Sequence, residues 1–280
     1  MPASIGWRLE SRNGDRCSGC WRKAPSAWMP LLSLLGAAAV SLPSALAAWE
    51  GADARSLALG GISMLHRLEL SPGALVAPGW AAQAGSTWEF LGSSLVEQRA
   101  SFRSGGAHRA WALACVQERS DVHRDTRASL ALQAGSRAWR AGLALGVREH
   151  RFARYDAWHD AEARLGLGAR WGGRLRLACM GGSDLSALAP SVAVAAACAL
   201  QAGLQVQVQL ERHPGLPVQT RAALLWGDES SFAVLCGYDV ATEAASGGLV
   251  AGVGPWRLHY GTVAHPELGW SHAWTLECAR

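Results

Sequence analysis

Leu204-Gln-Val-Gln-Val-Gln-Leu-Glu211 alternates strictly, with Leu204, Val206, Val208 and Leu210 on one side and Gln205, Gln207, Gln209 and Glu211 on the other. A strand sends successive side chains to opposite faces and so separates such a run, whereas a helix would scatter it around its axis. The same period recurs in Arg164-Leu-Gly-Leu-Gly-Ala-Arg-Trp171, Arg174-Leu-Arg-Leu-Ala-Cys179, Ala128 to Ala134 and Leu143 to Val147. Turn chemistry punctuates the runs at 103–106, 171–173, 181–184, 202–203, 213–215, 227–230 and 246–248. The pattern predicts strands near 54–64, 86–102 (one or two), 107–118, 127–135, 139–150, 160–171, 173–181, 191–202, 204–212, 218–226, 231–240, 247–261 (one or two) and 268–278. Because most runs end in a tight turn, sequence neighbours are expected to pair antiparallel in an up-and-down meander.

A soluble sandwich, lipocalin-like barrel or propeller would put large apolar residues toward a packed core and polar ones outside. Here the polar faces carry Gly, Ala, Ser, Gln or Arg, and Trp139, Trp171, Trp226 and Trp274 mark the apolar faces. Small and polar residues facing a wet lumen, with aromatics near strand ends, is the arrangement of a membrane-spanning barrel. The expected fold is therefore all-β: a transmembrane up-and-down antiparallel β-barrel of about 12–14 strands. The chain is 50% hydrophobic and 17% charged with mean hydropathy +0.07, too apolar for a disordered tail and too polar for a helical membrane protein.

At the N-terminus, Arg22 and Lys23 precede an apolar run from Trp28 to Leu42, and Ala45-Leu46-Ala47 supplies a small-x-small site. This order reads as an export signal cleaved after Ala47, with residues 1–47 an N-terminal extension and signal and 48–280 the barrel. Cleavage would remove five basic and two acidic residues and lower the formal charge from +4 to +1. All basic residues but Lys23 are Arg, and this weak field excludes a nucleic-acid partner. Cys17 and Cys20 lack a second ligand pair, and Cys115, Cys179, Cys198, Cys236 and Cys278 match no metal spacing. They are expected as free thiols, buried or facing lipid.

Asp53-Ala-Arg-Ser-Leu-Ala-Leu-Gly-Gly61 resembles the opening motif of PorV-like outer-membrane proteins, a group within the FadL-type barrel fold, through Arg55, Gly60 and Gly61. Leu70-Ser-Pro-Gly-Ala-Leu75, with Pro72 at its centre, resembles a later element of that group, with Ser71 in place of Asn and the Ala/Gly order reversed. Ser94 to Phe102 is similar to its early strand pair, and His265 to Leu276 to its last strand. The resemblance implies a bacterial outer-membrane barrel, fourteen-stranded, among hydrophobic-compound transporters and secretion-system accessory proteins. The segment between Ala48 and Ser86 is shorter than the N-terminal region of FadL-type transporters, which argues against a plugged-lumen mechanism. Trp270, His272, Trp274 and Leu276 give the last strand the alternation that barrel-assembly machinery reads, although Cys278-Ala-Arg280 replaces a terminal aromatic.

No serine lies in a G-x-S-x-G context, and the spacing of His259, His265 and His272 fits no metal motif. Neither an enzyme, a cofactor nor a metal is expected. Arg148 to Asp160, charged and aromatic, reads as a solvated external loop. Arg164, Arg170, Arg174 and Arg176 fall on the polar faces of two strands joined by Gly172-Gly173, and could line the lumen as a basic stripe favouring anions. The alternative is pairing with acids such as Glu97, Glu162 or Glu211. The expected function is passage of small or hydrophobic solutes across the outer membrane, or else a non-transporting envelope scaffold or secretion-system accessory barrel. Its partners would be outer-membrane lipid, the assembly machinery during insertion and an envelope or secretion complex.

Overall fold

In the computed structural model, residues 53–59, 61–90, 94–153, 155–185, 189–266 and 269–280 are described. The signal and cleavage site lie outside them. Among the described residues, one short helix, α1 (Ala54–Ala58), precedes fourteen strands: β1 Gly79–Trp88, β2 Val96–Gly105, β3 Arg109–Arg119, β4 His123–Gly135, β5 Trp139–Phe152, β6 Trp158–Trp171 and β7 Leu175–Asp184. The second half runs β8 Ala189–Gln201, β9 Leu204–Arg212, β10 Gln219–Asp228, β11 Phe232–Asp239, β12 Ala244–Val253, β13 Trp256–His265 and β14 Gly269–Ala279. Every neighbour pair is antiparallel, and β1 closes on β14 with Ala81 opposite Ala279 and Trp88 opposite His272. Closure leaves no unpaired edge, the condition for strands to sit in lipid.

Both chain ends of the barrel lie at one rim, called here the near rim, where tight turns such as 172–174 and 202–203 join the strands. Side chains facing outward are apolar and exposed: Leu143, Leu145 and Val147 on β5, Leu165 on β6, Val208 and Leu210 on β9, Leu224 on β10. Trp80, Trp111, Trp139, Trp171, Trp226 and Trp256 ring the near-rim end of this band, and Trp88, Tyr238 and Trp270 its opposite end. Two aromatic girdles bounding an apolar belt fit the two interfaces of a bilayer. Among the described residues Cys115, Cys179, Cys198, Cys236 and Cys278 are free.

Three expectations need correction. Residues 54–64 form not a strand but α1 and a series of turns. Asp53 N-caps the helix by accepting from the Ser56 amide at 2.6 Å, and the segment is enclosed on all sides, so it has no two-faced environment to obey. The first strand instead begins at Gly79, in a Gly- and Ala-rich stretch with weak alternation. Arg148–Asp160 is mostly ladder rather than loop: Glu149 pairs with His159 and His150 with Trp158, leaving only 153–157 as connection. The charges there mark the height at which β5 and β6 leave the apolar belt.

Candidate functional site

The lumen is filled by the chain's own segment 53–76. Leu59, Ile62, Met64 and Leu68 are fully buried, and three apolar seams tie them to the wall. Leu59 and Ile62 pack with Ala223, Leu225, Ala233, Leu235 and Val250 of β10–β12. Met64 and Leu65 meet Ala178 and Met180 of β7 and three alanines of β8. Leu68, Ala74 and Val76 meet Ala110, Ala112, Ala131 and Ala144 of β3–β5. The inner wall is made of small residues because a folded segment, rather than water, occupies the space. The short N-terminal segment thus does plug the barrel, contrary to the expectation from its length.

At two stations the plug backbone lies directly on the wall. A Cβ added at Gly142 of β5 would sit 2.5 Å from the Pro72 carbonyl oxygen, and one added at Gly166 or Gly168 of β6 would collide with the Gly73 backbone. Across the lumen, Gly248 of β12 and Gly261 of β13 leave the room that Ala54 and Ala58 of α1 occupy. Any larger side chain at Gly142, Gly166, Gly168 or Gly261 would have to displace backbone, the stiffest part of the plug, and one at Gly248 would meet the Ala58 methyl group and the Tyr260 carbonyl.

Hydrogen bonds fix the register of the plug. Gln133 on β4 donates to the carbonyls of Pro72 at 2.8 Å and Ala74 at 2.7 Å, while Arg140 donates to its Oε1 at 3.0 Å. Arg164 donates to the Leu70 carbonyl at 3.1 Å and to Glu162 at 3.1 Å. The Ala54 amide donates to Thr275 Oγ1 at 3.1 Å, and Ser246 donates to the Ala58 carbonyl at 3.1 Å. Gln209 Oε1 accepts from the Ser63 and Met64 amides, and its Nε2 reaches Glu211, which Arg221 and His213 also contact. Plug carbonyls and amides cut off from water are thereby satisfied.

Within the plug, Arg67 contacts Glu69 at 2.9 Å and Asp53 at 3.6 Å, with all three side chains almost fully enclosed. Burial opposes the Asp53 charge, but Arg67 and the Ser56 hydrogen bond outweigh it and hold the carboxyl well below the usual carboxylate range. His66, 3.3 Å from Ser56 Oγ, is driven well below the ordinary imidazole value by burial and by the Arg55 charge. The plug histidine is therefore neutral at pH 7.

The expected site residues scatter along this arrangement. Arg55 sits on α1 and pairs with Glu229 at 2.8 Å, Gly61 has a positive φ of 89°, Pro72 is clamped by Gln133, and Gly60 lies outside the described residues. Of the four arginines suggested as a stripe, Arg164 is engaged with the plug and with Glu162. Arg176 donates to Gln205 at 2.6 Å and stands opposite Arg170 in the ladder, while Arg174 is exposed in the near-rim turn. Gln133, Gln209 and the wall glycines were not singled out from the sequence. Their signal was an inward position occupied by Gly or Gln within an alternating run.

No family model matches the chain, and no curated protein does. Solved structures do: the deltaS2S3 mutant of the monoaromatic hydrocarbon channel TodX superposes with a TM-score of 0.60 at 9% identity, covering 82% of this chain and 98% of that one. The Ralstonia pickettii toluene transporter TbuX gives 0.59 at 9% identity over 84% and 98%. The Acinetobacter baumannii outer membrane protein Omp33 gives 0.52 at 6% identity over 72% and 98%. The fold of this chain is that of these outer-membrane barrels.

Proposed function

We propose that the chain is a bacterial outer-membrane barrel that passes small apolar solutes along the seam between plug and wall. The carrying observation is that the plug meets the wall through three dry seams of Leu, Ile, Met and Ala, surfaces that suit a hydrocarbon-like solute and repel ions. The fold shared with a monoaromatic hydrocarbon channel and a toluene transporter supports the same reading. On it, export follows cleavage after Ala47, the near rim faces the periplasm, the belt contacts outer-membrane lipid, and β14 is presented to the assembly machinery. The PorV-like kinship is part of the proposal, since Arg55, Gly61 and Pro72 all belong to the plug. Arg170, Arg174 and Arg176 then form the remainder of the basic stripe at the periplasmic mouth, with Arg164 committed to holding the plug.

A second reading, a closed scaffold serving an envelope or secretion complex, is favoured by the backbone-on-glycine docking at β5–β6 and β12–β13. Uptake of labelled toluene by cells with and without the protein, beside ion conductance of the purified barrel in a planar bilayer, separates the two. Passage along the seam requires faster toluene uptake with almost no ion current. Uptake equal to that of cells lacking the protein would overturn it in favour of the scaffold.

A further inference from the structure

Away from the plug, at the far rim, β4, β5 and β6 bring two histidines and two aspartates together. His123 and Asp125 are two residues apart on β4 and so share its inner face, and His150 of β5 stands directly opposite Asp125. Asp160 of β6 approaches His150 from the other side, Oδ2 to Nε2 at 3.0 Å, while His150 Nδ1 lies 3.5 Å from Asp125 Oδ2. The ligand atoms offered by His123, Asp125 and His150 all lie within 4.8 Å of one another.

We propose that this cluster binds one divalent first-row transition-metal ion, through the two imidazoles and the Asp125 carboxylate, with Asp160 orienting His150. An ion bonded at about 2.1 Å holds its ligand atoms about 3.0–4.2 Å apart, so the three side chains close on it with shifts of about an ångström or less. Two imidazoles and a carboxylate suit zinc, iron or nickel and suit the hard ions calcium and magnesium poorly. Holding the second imidazole nitrogen of a ligating histidine with a carboxylate is the role open to Asp160.

The surroundings fit a site that exchanges with water. On the outer face of β5 the apolar belt ends at Val147, and Glu149 and Arg151 follow, paired at 3.1 Å. His150 lies three residues past Val147, about 10 Å along the strand, beyond the hydrocarbon layer. Phe152 and Trp158 flank the imidazoles, with ring centroids 4.5 Å from His123 and 4.9 Å from His150, limiting their rotation. Arg148 also binds Asp125, through Nε at 2.5 Å, and competes with an ion for that carboxylate. Asp160, its partner in the ladder, is the acceptor to which it can turn when an ion binds.

Isothermal titration of zinc into the untagged, detergent-purified mature barrel tests the proposal. The wild type is expected to take up one equivalent with micromolar affinity. His123→Gln and His150→Gln should each weaken binding at least thirtyfold while keeping the heat-modified gel shift, and Arg148→Gln should tighten it several-fold. His159→Gln, on the outer face, should change nothing. If either histidine variant fails to fold, the visible spectrum of the cobalt-loaded wild type decides, because imidazole and carboxylate ligation differs from thiolate ligation by the scattered cysteines. No zinc binding below millimolar, unchanged binding in the folded histidine variants, or a thiolate spectrum would overturn the proposal and leave the cluster an ion-pair network.

Discussion

The lower and upper parts of β4–β6 have opposite inner faces. Toward the near rim these strands present Ala131, Gln133, Gly142, Ala144, Gly166 and Gly168, a floor so flat that backbone lies on it. Toward the far rim the same strands present His123, Asp125, Arg148, His150 and Asp160, charged, aromatic and partly open. The lower part is shaped for one occupant that is covalently attached, never leaves the chain and needs no recognition chemistry beyond amide and carbonyl partners. The upper part carries groups paired with one another, and in the proposed metal site they also take up an ion that arrives from solution. One strand pattern thus serves two tenants, because period two dictates only which residues face inward and leaves their size and charge open.

The sharpest way to break the contrast is to fill the floor. Gly168→Val puts two methyl groups where the Gly73 backbone lies, and overpacking of this kind costs about 1–3 kcal/mol. Here the strain is relieved by lifting the plug rather than by unfolding a closed barrel. The expected result is a rise in ion conductance from near zero to that of an open pore, with rapid proteolysis of 53–76 and a retained heat-modified gel shift. A silent, protease-resistant variant would mean that the plug is not held by this contact.

The fold was largely legible and the site was not, for the same physical reason. Alternation fixed the strands from β3 onward to within a few residues, because each has one face toward lipid and one toward the lumen. It failed at 54–64, where every face is enclosed, and at 79–88, where small residues on both sides blur the contrast. It failed again at 148–160, because a strand that rises above lipid keeps its geometry while losing its apolar face. The plug anchors were illegible in kind. Gln133 and Gly166 look like lumen-facing residues of any wet pore until residues 72–74, some sixty to ninety positions earlier in the chain, are placed against them.

With the plug lifted, the stripe becomes measurable. Replacing Arg170, Arg174 and Arg176 together with Gln in the Gly168→Val background should cut the anion-over-cation permeability ratio by a few-fold in asymmetric salt. Arg164 is left in place because it carries the Leu70 carbonyl. Because exposed charges are screened over about 8 Å at physiological salt, the shift should be larger in dilute buffer. Equal reversal potentials before and after substitution would show that these three arginines do not set the selectivity of the mouth.

The smallest expected effect concerns acid and the plug itself. His66 faces Arg55, Arg67 and Arg176 with Asp53 opposing them, and it is kept neutral by burial and by that positive surrounding. Once released from the lumen its imidazole would regain an ordinary value of about 6.5. The released plug therefore binds the extra proton, so docking is at full strength above about pH 6.5 and weakens as pH falls below it, by at most about 1.4 kcal/mol per pH unit. Asp53, held far below the usual carboxylate range, stays charged throughout this window and does not mask the effect. Proteolysis of 53–76, followed from pH 7.5 to 5.5 with a protease calibrated on a denatured substrate at each pH, should accelerate several-fold toward acid in the wild type and much less in His66→Leu. An acid acceleration that persists unchanged in His66→Leu would move the proton to another group and remove His66 as the source of the pH dependence.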